Sequence, residues 1–290
     1  MPAGGRPTVR SRRLGTALRQ YRQAAKLDQP QAAEVIASSQ ARISRVESGH
    51  ATPRVIEVRL LLDAYGVTDP QVRDRLEDLA KHSKKPGWWL EYAGRLRPDY
   101  LDHIALEDDA SHIRQWQPVL VPGLLQTPAY AETIITEGPR ELSSGQIAEL
   151  VKVRSRRQER ITEGGVRYTV VLWQAVITYP LLSSAVHREQ LTALLRAARR
   201  RNVTLQILPF SSGTLAAGTS AFAAFSFDSD TAVEVVTMDD LMSTTILENP
   251  DDLAVHARTF DLLQSAALSP AESAELIQSK LRTMEEDPHA

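Results

Sequence analysis

The chain has 290 residues and no cysteine. That excludes disulfides, a thiolate nucleophile and any cysteine-based zinc site, and it agrees with a reducing cytoplasm as the place of work. Long apolar runs are missing too, since no stretch approaches the ~18 residues that a membrane span requires. The opening MPAGGRPTVRSRR is basic but has no apolar stretch behind it, so it does not read as a secretory signal. The seven histidines (His50, His82, His103, His112, His187, His256, His289) lack metal-ligand spacing. Asp108 and His112 stand one helical turn apart, and a surface hydrogen bond accounts for them. No phosphate loop, dinucleotide fingerprint or nucleophile elbow occurs. Asp239-Asp240 and Asp251-Asp252 fall at loop and helix-start positions, where capping explains them. The sequence therefore assigns no catalytic residue, no cofactor and no metal, and the protein is expected not to be an enzyme.

What is present is an ordinary globular composition, 42% apolar and 24% charged. The formal net charge of −2 hides an asymmetry: residues 1–60 hold eleven Lys/Arg against four acids, a surplus of +7, which leaves −9 for the remaining 230. A basic head on an acidic body calls for an anionic partner at the head, because phosphate neutralisation needs a local patch and not a basic total.

Residues 1–11 are expected to form a disordered basic tail. From Arg12 apolar residues recur at helical spacing: Leu14, Leu18 and Tyr21; Ala32, Ala33 and Ile36; Ile43 and Val46; Val58, Leu61, Leu62 and Tyr65. A further helix from Gln71 to about His82 runs into Lys84-Lys85-Pro86-Gly87, placed as the boundary of a head spanning 12–85. The body, 86–290, opens with Trp88-Trp89 and a helix expected from Tyr100 to Trp116. Helices follow at 126–136 and 143–161, then strands at 166–172, 203–208, 220–227 and 232–238, the last two joined tightly across Asp228-Ser229-Asp230. Helices at 190–201, 251–267 and 270–284 complete it. The predicted fold class is α+β: an all-α helix-turn-helix head followed by a larger α+β domain with a small sheet.

The strongest local signal lies between Leu27 and Pro53. Asp28 can cap a helix with Pro30 in its first turn, Ala37-Ser38 makes a short turn, and Ser39 can cap a second helix to about Ser48. Two helices joined so briefly cross steeply, so that the second can enter a major groove while the first braces on the backbone. In the second helix Ile43 and Val46 point inward, whereas Gln40, Ala41, Ser44 and Arg45 lie on the opposite side. Gln and Arg carry the paired donors and acceptors that match adenine and guanine edges.

This stretch, including the run Ile43-Ser44-Arg45-Val46-Glu47-Ser48-Gly49 followed by Pro53, resembles the XRE (Cro/C1-type) helix-turn-helix over about 14–67. The resemblance implies that Gln29, at the start of the first motif helix, grips a phosphate and that Gln40, Ala41 and Arg45 read bases. It makes Arg42, Ser44 and Arg54 candidates for backbone contacts, and Arg22 with Glu47 a buried structural ion bridge. Two positions depart from the pattern. Ala32 replaces a common Leu, and Ala37 replaces the usual turn Gly, which implies strain of about 1 kcal/mol.

The body carries Val121-Pro122-Gly123-Leu124-Leu125-Gln126-Thr127, then Tyr130-Ala131, the run from Arg154 to Arg157-Gln158, Gln190-Leu191, the segment 203–209 and the strand from Ser220. In that order they resemble the C-terminal domain of actinobacterial WhiJ-like, toxin–antitoxin-like regulators. The resemblance implies a small partner protein, encoded nearby, that tunes DNA binding. By residue chemistry alone, 121–127 is a turn and helix start with Leu124 and Leu125 in the core, and the arginines from 154 to 160 are one solvated helix face, with an anion site as the alternative. The expected function is a cytoplasmic, sequence-specific transcriptional regulator, a repressor or activator. It is expected to be homodimeric on a two-fold double-stranded DNA operator. An antitoxin-like interaction module and a small-molecule sensor are the alternatives.

Overall fold

The computed structural model describes residues 8–82, 87–179, 183–227, 232–240 and 243–286. They form two compact units, divided between Ala105 and Leu106. The expected boundary at Lys84-Lys85-Pro86 and the connection at 228–230 lie outside the described residues, as does the tail up to residue 7.

The first unit begins with α1 (Val9–Ala24), α2 (Gln29–Val35), α3 (Gln40–Glu47), α4 (Val55–Ala64) and α5 (Pro70–His82). The expected tail is too long by three residues. Thr8 caps α1 by accepting the Ser11 N–H, and Val9 is buried. Leu14, Leu18, Ala32, Ala33, Ile43, Val46, Val58, Leu61, Leu62 and Leu76 make one core, so the apolar spacing of the sequence closes on itself. Arg10 donates to the His82 carbonyl and Arg12 pairs with Asp102 at 3.3 Å, so the unit extends past residue 85.

A short 3-10 turn, Trp88–Tyr92, leads to α6 (Pro98–Asp109). There the expected helix to Trp116 fails, because the chain turns at Ala110 and His112–Gln117 is a strand, β1. Next come α7 (Pro128–Thr136), α8 (Ser144–Arg157), β2 (Arg167–Trp173), α9 (Gln174–Thr178), α10 (Ser184–Ala198) and β3 (Val203–Leu208). The chain ends with α11 (Gly213–Ala217), β4 (Phe222–Ser226), β5 (Val235–Asp239), β6 (Thr244–Leu247), α12 (Pro250–Ala266) and α13 (Pro270–Glu286). The six strands form one mixed sheet in the order β3-β2-β1-β4-β5-β6. β1, β2 and β3 run parallel, with α-helical crossovers between them, while β4, β5 and β6 form an antiparallel meander.

The strand missed from sequence is thus central. Ile113 and Trp116, three apart, fit a helical period as well as a strand, and only pairing on both sides makes β1 a strand. β6 is a four-residue edge strand that no periodicity announced. Phe260 and Leu263 of α12 pack on Trp116, Val171, Phe222 and Val236, and α10 and α13 pack on β3. Coverage of the sheet on both sides explains why β2 and β4 are nearly continuous apolar runs.

The run 121–127 is held by three glutamines, of which Gln126 and Gln190 are buried. Leu124 and Leu125 are buried, and Gln126 donates to the Val121 carbonyl at 2.7 Å while accepting from Arg154. Gln190 accepts the Thr127 N–H at 2.8 Å and donates to the Leu125 carbonyl at 2.8 Å. Gln158 donates to the Gly123 and Gln126 carbonyls. The arginine run is not a solvated face. Arg157 is buried and forks onto buried Glu107 through two bonds of 2.6 Å, and Arg160 donates to the Glu107 and Ala110 carbonyls. Nor do Asp108 and His112 share a surface turn. His112 opens β1, is buried, and lies 3.0 Å from the Thr169 hydroxyl.

Candidate nucleic-acid interface

Asp28 caps α2 in a capping box with Gln31, and Ser39 caps α3 by accepting the Arg42 N–H. Between the two helices lie only residues 36–39. The Ala37 N–H bonds to the Glu34 carbonyl and the Ser38 N–H to that of Ala33, which closes α2 through a left-handed residue, Ala37, at φ 48°. Gly was the residue the pattern wanted there, and Ala adopts the same conformation.

α3 is eight residues long, about 12 Å, a length that fits across a major groove. Ile43, Val46 and Glu47 are buried, and Gln40, Ala41, Ser44 and Arg45 are exposed together on the other side. The back of the helix is locked. Glu47 takes bonds of 2.6 and 3.0 Å from buried Arg22 of α1, which also donates to the Leu27 carbonyl at 2.7 Å. The bond to Glu47, against the cost of burial, holds the Arg22 guanidinium above its ordinary pKa. Burial, with Glu47 nearby, pushes the Tyr65 phenol up to about 12.

The remaining residues expected at the interface are tied to these supports. The Gln29 side-chain amide donates to Glu47 at 3.0 Å, so the residue expected to grip a phosphate is oriented by the ion bridge. Arg42 donates to Glu57 of α4 at 2.9 and 3.2 Å, and its side chain keeps 33% exposure. Arg54 donates its backbone N–H to Glu57 at 2.6 Å and a guanidinium nitrogen at 3.3 Å, with its side chain 75% exposed. Burial drives the Glu57 carboxyl up, but the Arg54 N–H and the Arg42 guanidinium outweigh it and hold the group below its ordinary range.

Two residues of this architecture escaped the sequence reading. Glu57 brings Arg42 and Arg54 to one carboxylate although they lie twelve residues apart, and its Glu-at-N3 position after Arg54 was the available signal. Gly15 lies inside α1, where a Cβ would meet the Val46 carbonyl oxygen at 2.3 Å and that of Glu47 at 2.7 Å. A lone Gly in a helical pattern was the signal there. Among the described residues no group of three or more metal-ligating side chains occurs, and no helix is long and apolar enough to cross a membrane.

A capped bracing helix, a tight left-handed turn and a short helix with a polar face define a helix-turn-helix protein of the DNA-binding regulator class. A helix-turn-helix domain model matches residues 13–76. The chain belongs to the family described as a domain of unknown function (DUF5753), whose model matches residues 100–279. No curated protein and no solved structure matches the chain.

Proposed function

We propose that this protein is a cytoplasmic, sequence-specific transcriptional regulator in which α3 enters the major groove of an operator. Gln40, Ala41 and Arg45 face the bases, and Ser44, Gln29, Arg42 and Arg54 contact the backbone. One observation carries the reading: the four outward residues of α3 share one exposed side, while an ion bridge holds the opposite side from behind. Arg45 supports it further, since its guanidinium has no partner among the described residues and is available to a guanine edge. One such helix covers only a few base pairs, so the regulator acts as a homodimer on a two-fold site. Its body, akin to that of WhiJ-like regulators, takes a small partner protein that tunes binding. Copurification of a small protein encoded nearby is the measurement for that part.

The test of the DNA reading is operator affinity. Arg45→Ala is expected to lose ~1–3 kcal/mol on specific DNA, with non-specific binding little changed. Wild-type affinity of the variant in a gel shift would overturn the assignment.

A further inference from the structure

The two edges of the sheet are finished differently. At β3 the chain covers itself. The Leu268 N–H donates to the Ile207 carbonyl at 2.9 Å, the Ser273 hydroxyl accepts the Ile207 N–H at 2.9 Å, and Gln206 donates to the Leu268 carbonyl. At the other edge, β6 has β5 on one side and no strand on the other. The Asp240 N–H donates to the Ser243 carbonyl at 2.9 Å, and the antiparallel ladder alternates from that pair. Thr245 and Leu247 therefore bond to β5, while Ile246 turns its N–H and C=O outward. No described residue bonds to Ile246 from that side. Shortness is the strand's main guard, because Thr244–Leu247 holds no charge, no proline and no bulge.

Charge selects the occupant. Between Arg201 and Arg258 the chain has eight Asp/Glu and no Lys or Arg. Asp239 and Asp240 stand before β6, and Glu248, Asp251 and Asp252 follow it. These last three make no ion pair among the described residues. A second copy laid antiparallel on β6 would bring acids toward acids, and a duplex would meet the same repulsion. We propose that β6 accepts an added strand from a basic segment of a partner protein. The added strand bonds to the Ile246 N–H and C=O, and its cationic side chains lie beside the acids that flank β6. The inference rests on the reading that the body takes a small partner protein, and it names where that partner docks.

Titration of the full chain with a peptide of alternating lysine and valine, about ten residues long, tests this, with the matching glutamate–valine peptide as control. Saturable binding of the lysine peptide is expected. Hydrogen exchange at the Ile246 amide should slow roughly tenfold or more, while that of Thr245, bonded to β5 throughout, changes little. Ile246→Pro removes an N–H that the sheet does not use and should weaken binding roughly tenfold or more. Glu248→Lys leaves the backbone alone and should weaken it several-fold. Equal binding of the glutamate peptide, an unchanged Ile246 amide, or unchanged binding in either variant overturns the proposal. Protection of Ile246 that rises with protein concentration alone overturns it in favour of a second copy. A small protein that copurifies equally with the unmutated chain and with Ile246→Pro overturns this site and leaves the partner reading standing. Peptide binding with no copurifying protein supports the edge and counts against that reading alone.

Discussion

Four consecutive helices of the head end in a left-handed residue: Lys26 at φ 59°, Ala37 at 48°, Gly49 at 78° and Gly66 at 71°. Glycine adopts this conformation freely, and an L side chain does so at a cost of about 1 kcal/mol. Ala37→Gly is therefore expected to raise the stability of the head by about 1 kcal/mol in denaturant unfolding, with operator affinity unchanged. A Cβ at Gly15 is the opposite case. It would collide with the backbone of α3, which cannot retreat while Arg22 grips Glu47, so Gly15→Ala is expected to cost roughly 1–3 kcal/mol or more and, on the proposed function, to weaken DNA binding by tilting α3. Measuring melting and gel shift on the same sample separates the two effects. Ala37 was legible in advance because the turn's conformation is local. Gly15 was not, because the atoms it makes room for lie some thirty residues away in sequence, as read from Val46 and Glu47.

Among elements, α8 shows how far a charge pattern can mislead. Its arginines lie close together in sequence and read as a solvated stripe, yet Arg157 is 7% exposed and Glu107 of α6 is 3% exposed. Removing one partner leaves the other charge buried and uncompensated, so Glu107→Gln is expected to destabilise the second unit by roughly 3–5 kcal/mol. Thermal unfolding measures it, and a loss below 1 kcal/mol would show that water reaches the pair. The carboxylate that Arg157 needs lies fifty residues upstream, and no spacing within α8 points to it. β1 teaches the same lesson for a whole element. Polar residues interrupt its apolar ones, and neighbours on both sides complete its backbone bonds. The three helices α2 to α4 of the helix-turn-helix region were legible because caps, turn and buried stripe are each short-range.

Across the molecule, stability should fall in acid through the body. Burial, with Arg114 and Arg167 nearby, pushes the His112 imidazole down to about 4. In the unfolded chain the ring takes up a proton below its ordinary value of ~6.5, while the folded protein accepts one only near 4. The unfolded state thus binds more protons in between, and stability is lost as pH falls from about 6.5 to 4, by on the order of 3 kcal/mol. Denaturant unfolding of His112→Gln across that window should give a flatter profile, and an unchanged slope would remove His112 as its cause. The sequence by itself determined the head: its basic surplus, its helix order, its turn and the outward residues of α3, since all of these follow from charge, capping and periodicity within a few turns of chain. Tertiary structure alone decided that β1 is the middle of a sheet, that Glu57 gathers Arg42 and Arg54, and that the arginine run turns inward onto Glu107. Each depends on a partner brought near only by folding, and the free energy of a buried charge or an unpaired strand is set by that partner.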